Sequence, residues 1–321
     1  MRIYQFALAA ALVFGGGHLP ADAQLDPTST SVARDRTDLL GAETGIDTAE
    51  RALMASTRGN SEIHAPPSPG DDDLGEQLLL VPRSIYEPWT LFGTAGVFFT
   101  DNAGLEEAME TDDTYFTGEA GLTYLPRLTG NLFAEVGARY KTYRYDERDD
   151  LDFDSLRTDL GLINVFRGFY DISLFGSYTY RRLTDGSHDE FYRNHSAVTG
   201  VYLPIRLGPK HSAFTSLLAD FSLSGDPDLA RRHEYSAQVG YRFRPLEELE
   251  LSLSYRVSYL DFTEIGRGDF NQYIGAAATY KPTDWVELAL TGGFSINDSD
   301  LEGADYEVGT LGGALSLIMR F

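Results

Sequence analysis

A period-two alternation of apolar and polar residues recurs in about a dozen segments of this chain and constrains its fold more than any other feature. In the clearest segment, 249–259, apolar side chains at odd positions alternate with Glu, Ser and Arg at even positions. The segment 235–243 repeats the pattern. Successive side chains of a β-strand point to opposite faces, so each such segment predicts a strand with two chemically different surfaces. The chain is therefore predicted to be all-β.

The predicted strands are long enough to cross a bilayer. Eleven residues rising about 3.3 Å each and tilted by about 45° cover roughly 25 Å, the height of the apolar band of a transmembrane barrel. The twelve predicted strands are 89–100, 114–125, 131–145, 155–166, 170–182, 193–203, 212–224, 232–244, 248–261, 269–281, 285–297 and 307–321.

The connections between these strands alternate in length. The short ones are 126–130, 167–169, 204–211, 245–247 and 282–284. The longer ones are 101–113, 146–154, 183–192, 225–231, 262–268 and 298–306. This rhythm, with both termini on the side of the short turns, predicts a transmembrane antiparallel up-and-down β-barrel of about twelve strands at 89–321. Short turns are expected in the periplasm and longer loops outside the cell.

The first 88 residues differ in composition from the rest. Residues 1–24 are predicted to be a signal peptide, with Arg2, an apolar stretch and small residues before the cleavage site. Residues 25–88 are rich in Ser, Thr, Asp and Pro and predict a disordered periplasmic leader with a short helix near Thr48–Ala55. A flexible tether is favoured over a dedicated plug. Residues 77–82 are expected either to lie along the barrel wall or to enter the lumen.

Composition excludes several classes of protein. The chain has no Cys, which excludes a disulfide framework and a thiolate metal site. Its net charge of −23 makes nucleic acid an improbable partner, because phosphate binding needs basic patches. No segment has 18 consecutive apolar residues, so no α-helical membrane span is predicted.

Charged residues fall on the polar face of the predicted strands and are assigned to the barrel lumen. Their signs are nearly balanced. They are expected either to form a salt-bridge network that closes the lumen or to line a narrow aqueous path, and the sequence leaves both interpretations open. The predicted lumen-lining residues are Glu135, Arg139, Arg157, Asp171, Arg181, Asp220, Arg242, Arg256 and Glu287.

The predicted outer loops are acidic. Residues 101–113 carry six acidic residues and no Lys or Arg, and 146–154 and 298–307 are similar in character. Such a rim concentrates cations. Residues 298–303 begin like a calcium-binding loop, but Gly309 occupies the position where a bidentate acid is expected. Solvated acidic loops are therefore favoured, and neither a metal site nor a cofactor is predicted.

Catalysis is not predicted. The sequence Asn194-His195-Ser196 contains residue types used by outer-membrane phospholipases. Adjacent strand residues point to opposite faces, however, so His195 is not placed to activate Ser196.

Aromatic residues cluster near the strand ends, as in the two interfacial girdles of transmembrane barrels. The candidates are Tyr124, Phe166, Tyr170, Phe243, Tyr280 and Trp285 near short turns, and Tyr143, Tyr178, Tyr259 and Phe294 towards long loops. The chain ends on Phe321, which closes an alternating strand. This ending resembles the C-terminal insertion signal of Gram-negative outer-membrane β-barrels, which implies the barrel-assembly machinery as a partner.

The segments 98–103 (FFTDNA) and 122–128 (LTYLPRL) resemble the opening of the outer-membrane β-barrel porin 2 family. The likeness covers residues 89–321. It implies a barrel in the outer membrane of a Gram-negative bacterium, in contact with lipid and lipopolysaccharide and sometimes associated with surface polysaccharide. It carries over no catalytic residue. The predicted function is a narrow porin-like channel for small solutes or saccharides. The alternative is a structural or surface-polysaccharide-associated protein with a plugged lumen.

Overall fold

A computed structural model describes residues 46–57, 86–107 and 110–321. The described residues form one α-helix, thirteen β-strands and two short 3₁₀ helices, at Asp149–Leu151 and Asp228–Ala230. The helix is α1 (Ile46–Thr57), and the strands are β1 (Trp89–Thr100), β2 (Asp113–Tyr124), β3 (Arg127–Thr129), β4 (Leu132–Tyr145), β5 (Phe153–Phe166), β6 (Ile172–Asp185), β7 (Glu190–Arg206), β8 (His211–Asp226), β9 (His233–Phe243), β10 (Leu249–Phe262), β11 (Arg267–Thr283), β12 (Val286–Ser299) and β13 (Tyr306–Arg320).

The strands close into a barrel. Each long strand pairs antiparallel with the next along the chain, and β13 pairs with β1 from Thr90↔Arg320 to Thr100↔Thr310. Strand β2 pairs directly with β4, so the three-residue β3 is an addition beside β4 and not a member of the ring. The wall therefore has twelve strands, and the predicted antiparallel barrel is confirmed.

The alternation seen in the sequence becomes an inner and an outer surface. On β5, Arg157 and Asp159 are buried inside the barrel, whereas Leu160 and Leu162 are 60% and 53% exposed on its outside. Apolar side chains on the outside can contact lipid hydrocarbon without a desolvation cost, while polar groups inside find hydrogen-bond partners. The same pattern runs around the ring, which explains why the strand positions were predictable.

The strict alternation of short and long connections is wrong. Strand β6 continues to Asp185 and β7 begins at Glu190, so the expected connection 183–192 shrinks to 186–189. The connection expected at 262–268 shrinks to 263–266 in the same way. A polar sequence does not end a ladder of backbone hydrogen bonds, because strands outside the membrane are solvated on both faces. The strands therefore extend beyond the apolar band.

The two ends of the barrel remain distinguishable. We call the end of the barrel that carries the predicted short turns the turn end, and the opposite end the loop end. The connections of the turn end are 125–131, which contains β3, and 167–171, 207–210, 244–248 and 284–285.

Helix α1 lies inside the barrel at the turn end. Its residues Ala49 and Ala52 are fully buried in an apolar cluster. The other members come from inward positions near the turn end: Leu125, Phe133, Ile163, Val165, Phe175, Val198, Tyr202 and Phe214. A helix was expected near Thr48–Ala55, but as part of a tether, and the structure instead packs it within the lumen. Among the described residues, no helix has the length and apolar content to cross a bilayer.

The signal peptide at 1–24 and the leader residues 25–45 and 58–85, which include the segment 77–82, lie outside the described residues. Their expected roles stay predictions.

Epitope insertion tests which end of the barrel faces the medium. A tag near Glu107 or Glu302, at the loop end, should be accessible to antibody on intact cells. A tag near Thr129 or Thr283, at the turn end, should become accessible only after the outer membrane is permeabilised. The reverse labelling pattern would contradict the predicted orientation.

Candidate functional site: the barrel lumen

The lumen at the turn end is occupied by α1, which is fixed there by both apolar and polar contacts. The apolar contacts involve Ala49, Ala52, Leu53 and Ala55 of the helix. The polar contacts reach four strands: Thr48 Oγ1 donates to Glu135 Oε1 at 2.7 Å, Arg51 Nη2 to Thr90 Oγ1 at 2.7 Å, Arg242 Nη1 to Glu50 Oε1 at 2.5 Å, and Arg127 to the carbonyl of Ala55.

Strands β4–β6 carry long charged side chains on their inner faces. We name Glu135, Arg139, Arg157, Asp159 and Arg181 the charged wall. Arg157 Nε donates to Asp159 Oδ1 at 2.9 Å, and Thr179 Oγ1 donates to the same carboxylate oxygen at 2.8 Å. Asp159 is thus neutralised and hydrogen-bonded in place, as a buried charge requires.

The opposite side of the lumen is built from small residues. Strands β10–β12 stand six positions around the twelve-stranded ring from β4–β6. A cavity of about 140 Å³ lies against this side. We name its inward hydroxyl-bearing residues the hydroxyl wall: Ser252, Ser254, Tyr273, Thr291, Ser295 and Thr310. Gly275 and Gly293 lie beneath the ring of Tyr273, which passes so close to both that a Cβ atom at either position would clash with it.

Most of the residues predicted to line the lumen lie on the inner face of a strand. These are Glu135, Arg139, Arg157, Arg181, Asp220, Arg242, Arg256 and Glu287. Their participation in a conducting path stays a prediction.

Asp171 is placed differently, because it precedes β6 in the turn. Both Tyr170 and Asp171 have positive φ, so the strand alternation does not extend back to Asp171. Arg206 Nη2 donates to Asp171 Oδ2 across the turn end at 3.4 Å. The predicted strand start at 170 is corrected to Ile172.

The partner of Arg242 was not foreseen. Its bond to Glu50 joins residues 192 positions apart, and Glu250 is a second, more distant carboxylate at 3.8 Å. Sequence analysis missed Thr48, Glu50 and Arg51 as lumen residues. Their only signal was the Ala- and Leu-bearing face of the predicted helix, which indicates packing against something but does not name the surface.

Aromatic side chains fill part of the lumen at the loop end. Tyr143 was assigned to the lipid-facing girdle, and this is wrong: it is fully buried and stacks on Phe153 with ring centres 4.3 Å apart. Tyr143 shares the odd-numbered inner face of β4 with Arg139 and Lys141. The other large aromatic residues of the cluster are Phe98, Tyr115, Tyr145 and Tyr192.

Several loop acids bind backbone amides. Asp113 accepts hydrogen bonds from the N–H groups of Glu147 and Arg148, and Asp300 accepts one from Gly268 at 2.8 Å. Arg148 bonds to Asp150, which lowers the pKa of that carboxyl. The acids of the rim therefore help to fix the conformation of the loops that carry them. Within the described part of the chain, no three or more His, Asp or Glu side chains are grouped so that they could hold a metal ion.

His195 and Ser196 lie on opposite faces of β7. His195 is partly exposed on the outside, where Nδ1 is 2.5 Å from the hydroxyl of Tyr178. Ser196 is buried inside. The pair is therefore not arranged as a nucleophile and its base.

Neither a protein-family model nor a curated protein sequence matches this chain. Among solved structures, the COG4313 outer membrane channel from Pseudomonas putida F1 aligns with a TM-score of 0.53 at 13% identity, over 74% of this chain and 97% of that one. The translocator domain of autotransporter NalP from Neisseria meningitidis aligns with a TM-score of 0.43 at 12% identity, over 91% of this chain and 98% of that one. The KdgM porin aligns with a TM-score of 0.36 at 9% identity, over 70% of this chain and 97% of that one. The first of these likenesses shows the fold alone, a closed antiparallel β-barrel of the kind found in outer-membrane proteins.

Proposed function

We propose that this protein is a narrow porin-like channel of the Gram-negative outer membrane for small solutes or saccharides. The observation that carries the proposal is the cavity of about 140 Å³ inside the closed barrel, against a wall of small polar residues. A twelve-stranded barrel is wider than the eight-stranded barrels whose interiors side chains fill, so a polar passage can persist beside a packed helix. The resemblance to the outer-membrane β-barrel porin 2 family agrees with this proposal.

A structural or surface-polysaccharide-associated protein with a plugged lumen is the second candidate. It is favoured by α1, which packs at the turn end, and by the aromatic cluster at the loop end. The two candidates differ in one measurable property, because only a channel passes current.

The proposed setting follows from the barrel. Its outer surface is suited to lipid, its loop end to the lipopolysaccharide leaflet, and its C-terminal strand to recognition by the barrel-assembly machinery. Residues 25–88 belong on the periplasmic side in this proposal, since α1 occupies the turn end. No enzymatic role is proposed.

Purified protein in a planar bilayer should show discrete current steps with a modest preference for cations. The acidic rim attracts cations, whereas charges inside the barrel, such as Arg157 and Asp159, neutralise each other. The preference should fade as salt is raised, because the screening length falls from about 30 Å at 0.01 M to about 3 Å at 1 M. Reversal potentials in salt gradients measure this.

A variant with Glu106, Glu107 and Glu110 changed to Gln is the control, and its cation preference should be weaker. Anion selectivity at low salt would contradict the assignment of the rim. The absence of any current step from folded protein would favour the second candidate.

A further inference from the structure

The two halves of the lumen differ in charge as well as in size. The inner positions 271–279 of β11, 289–297 of β12 and 308–318 of β13 carry no Asp, Glu, Lys or Arg. The charged wall of β4–β6 lies across the ring from them. Arg256 borders the neutral region, with its guanidinium 5.5 Å from the centre of the Tyr273 ring.

Helix α1 lies against the charged half. Its apolar cluster includes Phe133, Val165 and Phe175, which belong to β4, β5 and β6. Two polar side chains of the helix form hydrogen bonds with strands on either side: Glu50 accepts from Arg242 on β9, and Arg51 donates to Thr90 on β1. Strands β9 and β1 flank the group β10–β13. Among the residues that the structure describes, the helix and its two lateral bonds therefore frame an opening against β10–β13 instead of closing the whole section.

The size and chemistry of the hydroxyl wall indicate what fits there. A cavity of about 150 Å³ in another protein accepts benzene, so this one, at about 140 Å³, has room for a six-membered ring, and the hydroxyl substituents of a hexose would extend from it into the rest of the lumen. Ser, Thr and Tyr hydroxyls both donate and accept hydrogen bonds, and they replace the water around a solute hydroxyl at little cost. The side chains of the wall itself offer an ion no opposite charge to replace its lost hydration, and Arg256 lies only at its border.

We propose that solutes cross the barrel along an off-centre path against β10–β13, and that the hydroxyl wall of this path favours uncharged, polyhydroxylated solutes of sugar size. The inference rests on the proposed channel function and adds the route and the solute class.

The route is tested with single cysteines, since the chain has none of its own. Ser254→Cys lies on the hydroxyl wall, and Ser177→Cys is its matched control on β6, in the charged half of the lumen. Both serines face inward, and each stands five residues after the start of its strand, at Leu249 and Ile172. A bulky uncharged methanethiosulfonate should cut the current through Ser254→Cys by more than half and barely change that through Ser177→Cys. Equal losses, or a larger loss at Ser177→Cys, would overturn the off-centre route.

Labelling rates, measured by mass spectrometry on the folded protein, give a second readout that does not need current. Ser254→Cys should react at least several times faster than Ser177→Cys. If the wild type passes no current but this difference holds, the channel function fails and the location of the open space stands. If current flows but the two variants are labelled at the same rate, the off-centre route is refuted and the channel function stands.

The solute class is tested by liposome swelling with a hexose, the corresponding sugar acid and the corresponding amino sugar. High salt screens the acidic rim, so the wall decides the ranking. The hexose should enter severalfold faster than either charged relative. Entry of the sugar acid or the amino sugar at the same rate as the hexose would overturn the proposed selectivity.

Discussion

Ala52→Asp in helix α1 should raise the single-channel conductance severalfold, whereas Met54→Asp should leave it unchanged. Ala52 is fully buried in the apolar cluster, and Met54 is 44% exposed on the same helix. A carboxylate at position 52 would be removed from water without a partner, at a cost of several kcal/mol. A twelve-residue helix is too short to hold itself together without tertiary packing, so α1 should leave the lumen.

The expected increase is large because an α-helix with its side chains is about 10–12 Å across, a substantial part of a twelve-stranded lumen. The measurement is the distribution of current steps in a planar bilayer for the two variants and the wild type. Since both variants add one negative charge to the same helix, an electrostatic effect alone would affect them similarly.

Arg242→Ala examines the same helix from the barrel wall. It removes the bond to Glu50, while Arg244→Ala, its control, removes an exposed bond to Glu250 on the same end of the barrel. Only Arg242→Ala should enlarge the current steps. If Ala52→Asp and Arg242→Ala both conduct like the wild type, α1 does not restrict the passage.

Deletion of Phe321 should reduce the amount of folded, heat-modifiable barrel in the outer membrane severalfold, with aggregate or degradation products left in the periplasm. Phe321 closes the seam between the first and last strands. Trp89 N–H donates to the Phe321 carbonyl at 2.9 Å, Phe321 N–H donates back at 3.2 Å, and the two rings stack with centres 6.4 Å apart. Unpaired backbone groups at a barrel edge are costly in lipid, so the seam must be complete.

Two substitutions distinguish the contribution of the Phe321 ring to assembly from that of the rest of the strand. Phe321→Trp should retain assembly, because it keeps an aromatic side chain beside Trp89. Met319→Ala alters another exposed side chain on the same outer face and should have little effect. Cell fractionation followed by gel electrophoresis with and without heating measures all three. Normal levels of folded barrel after the deletion would refute the insertion signal.

The twelve strands of the wall were determined by the sequence alone, within a few residues, because alternation is a local property with a period of two. The inward direction of Arg139, Arg157 and Arg181 followed from the same local rule. Where the rule was not applied consistently, the prediction failed: Tyr143 shares the inner face of β4 with Arg139, although it was assigned to the lipid girdle. Strand ends outside the membrane were also missed, since no change of hydrophobicity marks them.

Only the tertiary structure decided what faces what across the lumen. Arg242 meets Glu50 over 192 positions of sequence, and Thr48 meets Glu135 over 87. Which strands stand opposite one another depends on ring closure, since β13 must pair with β1 before β10–β12 lie across from β4–β6. Local periodicity specifies inside and outside, but the identity of the opposite wall, and the side on which α1 packs, arise from the closed ring.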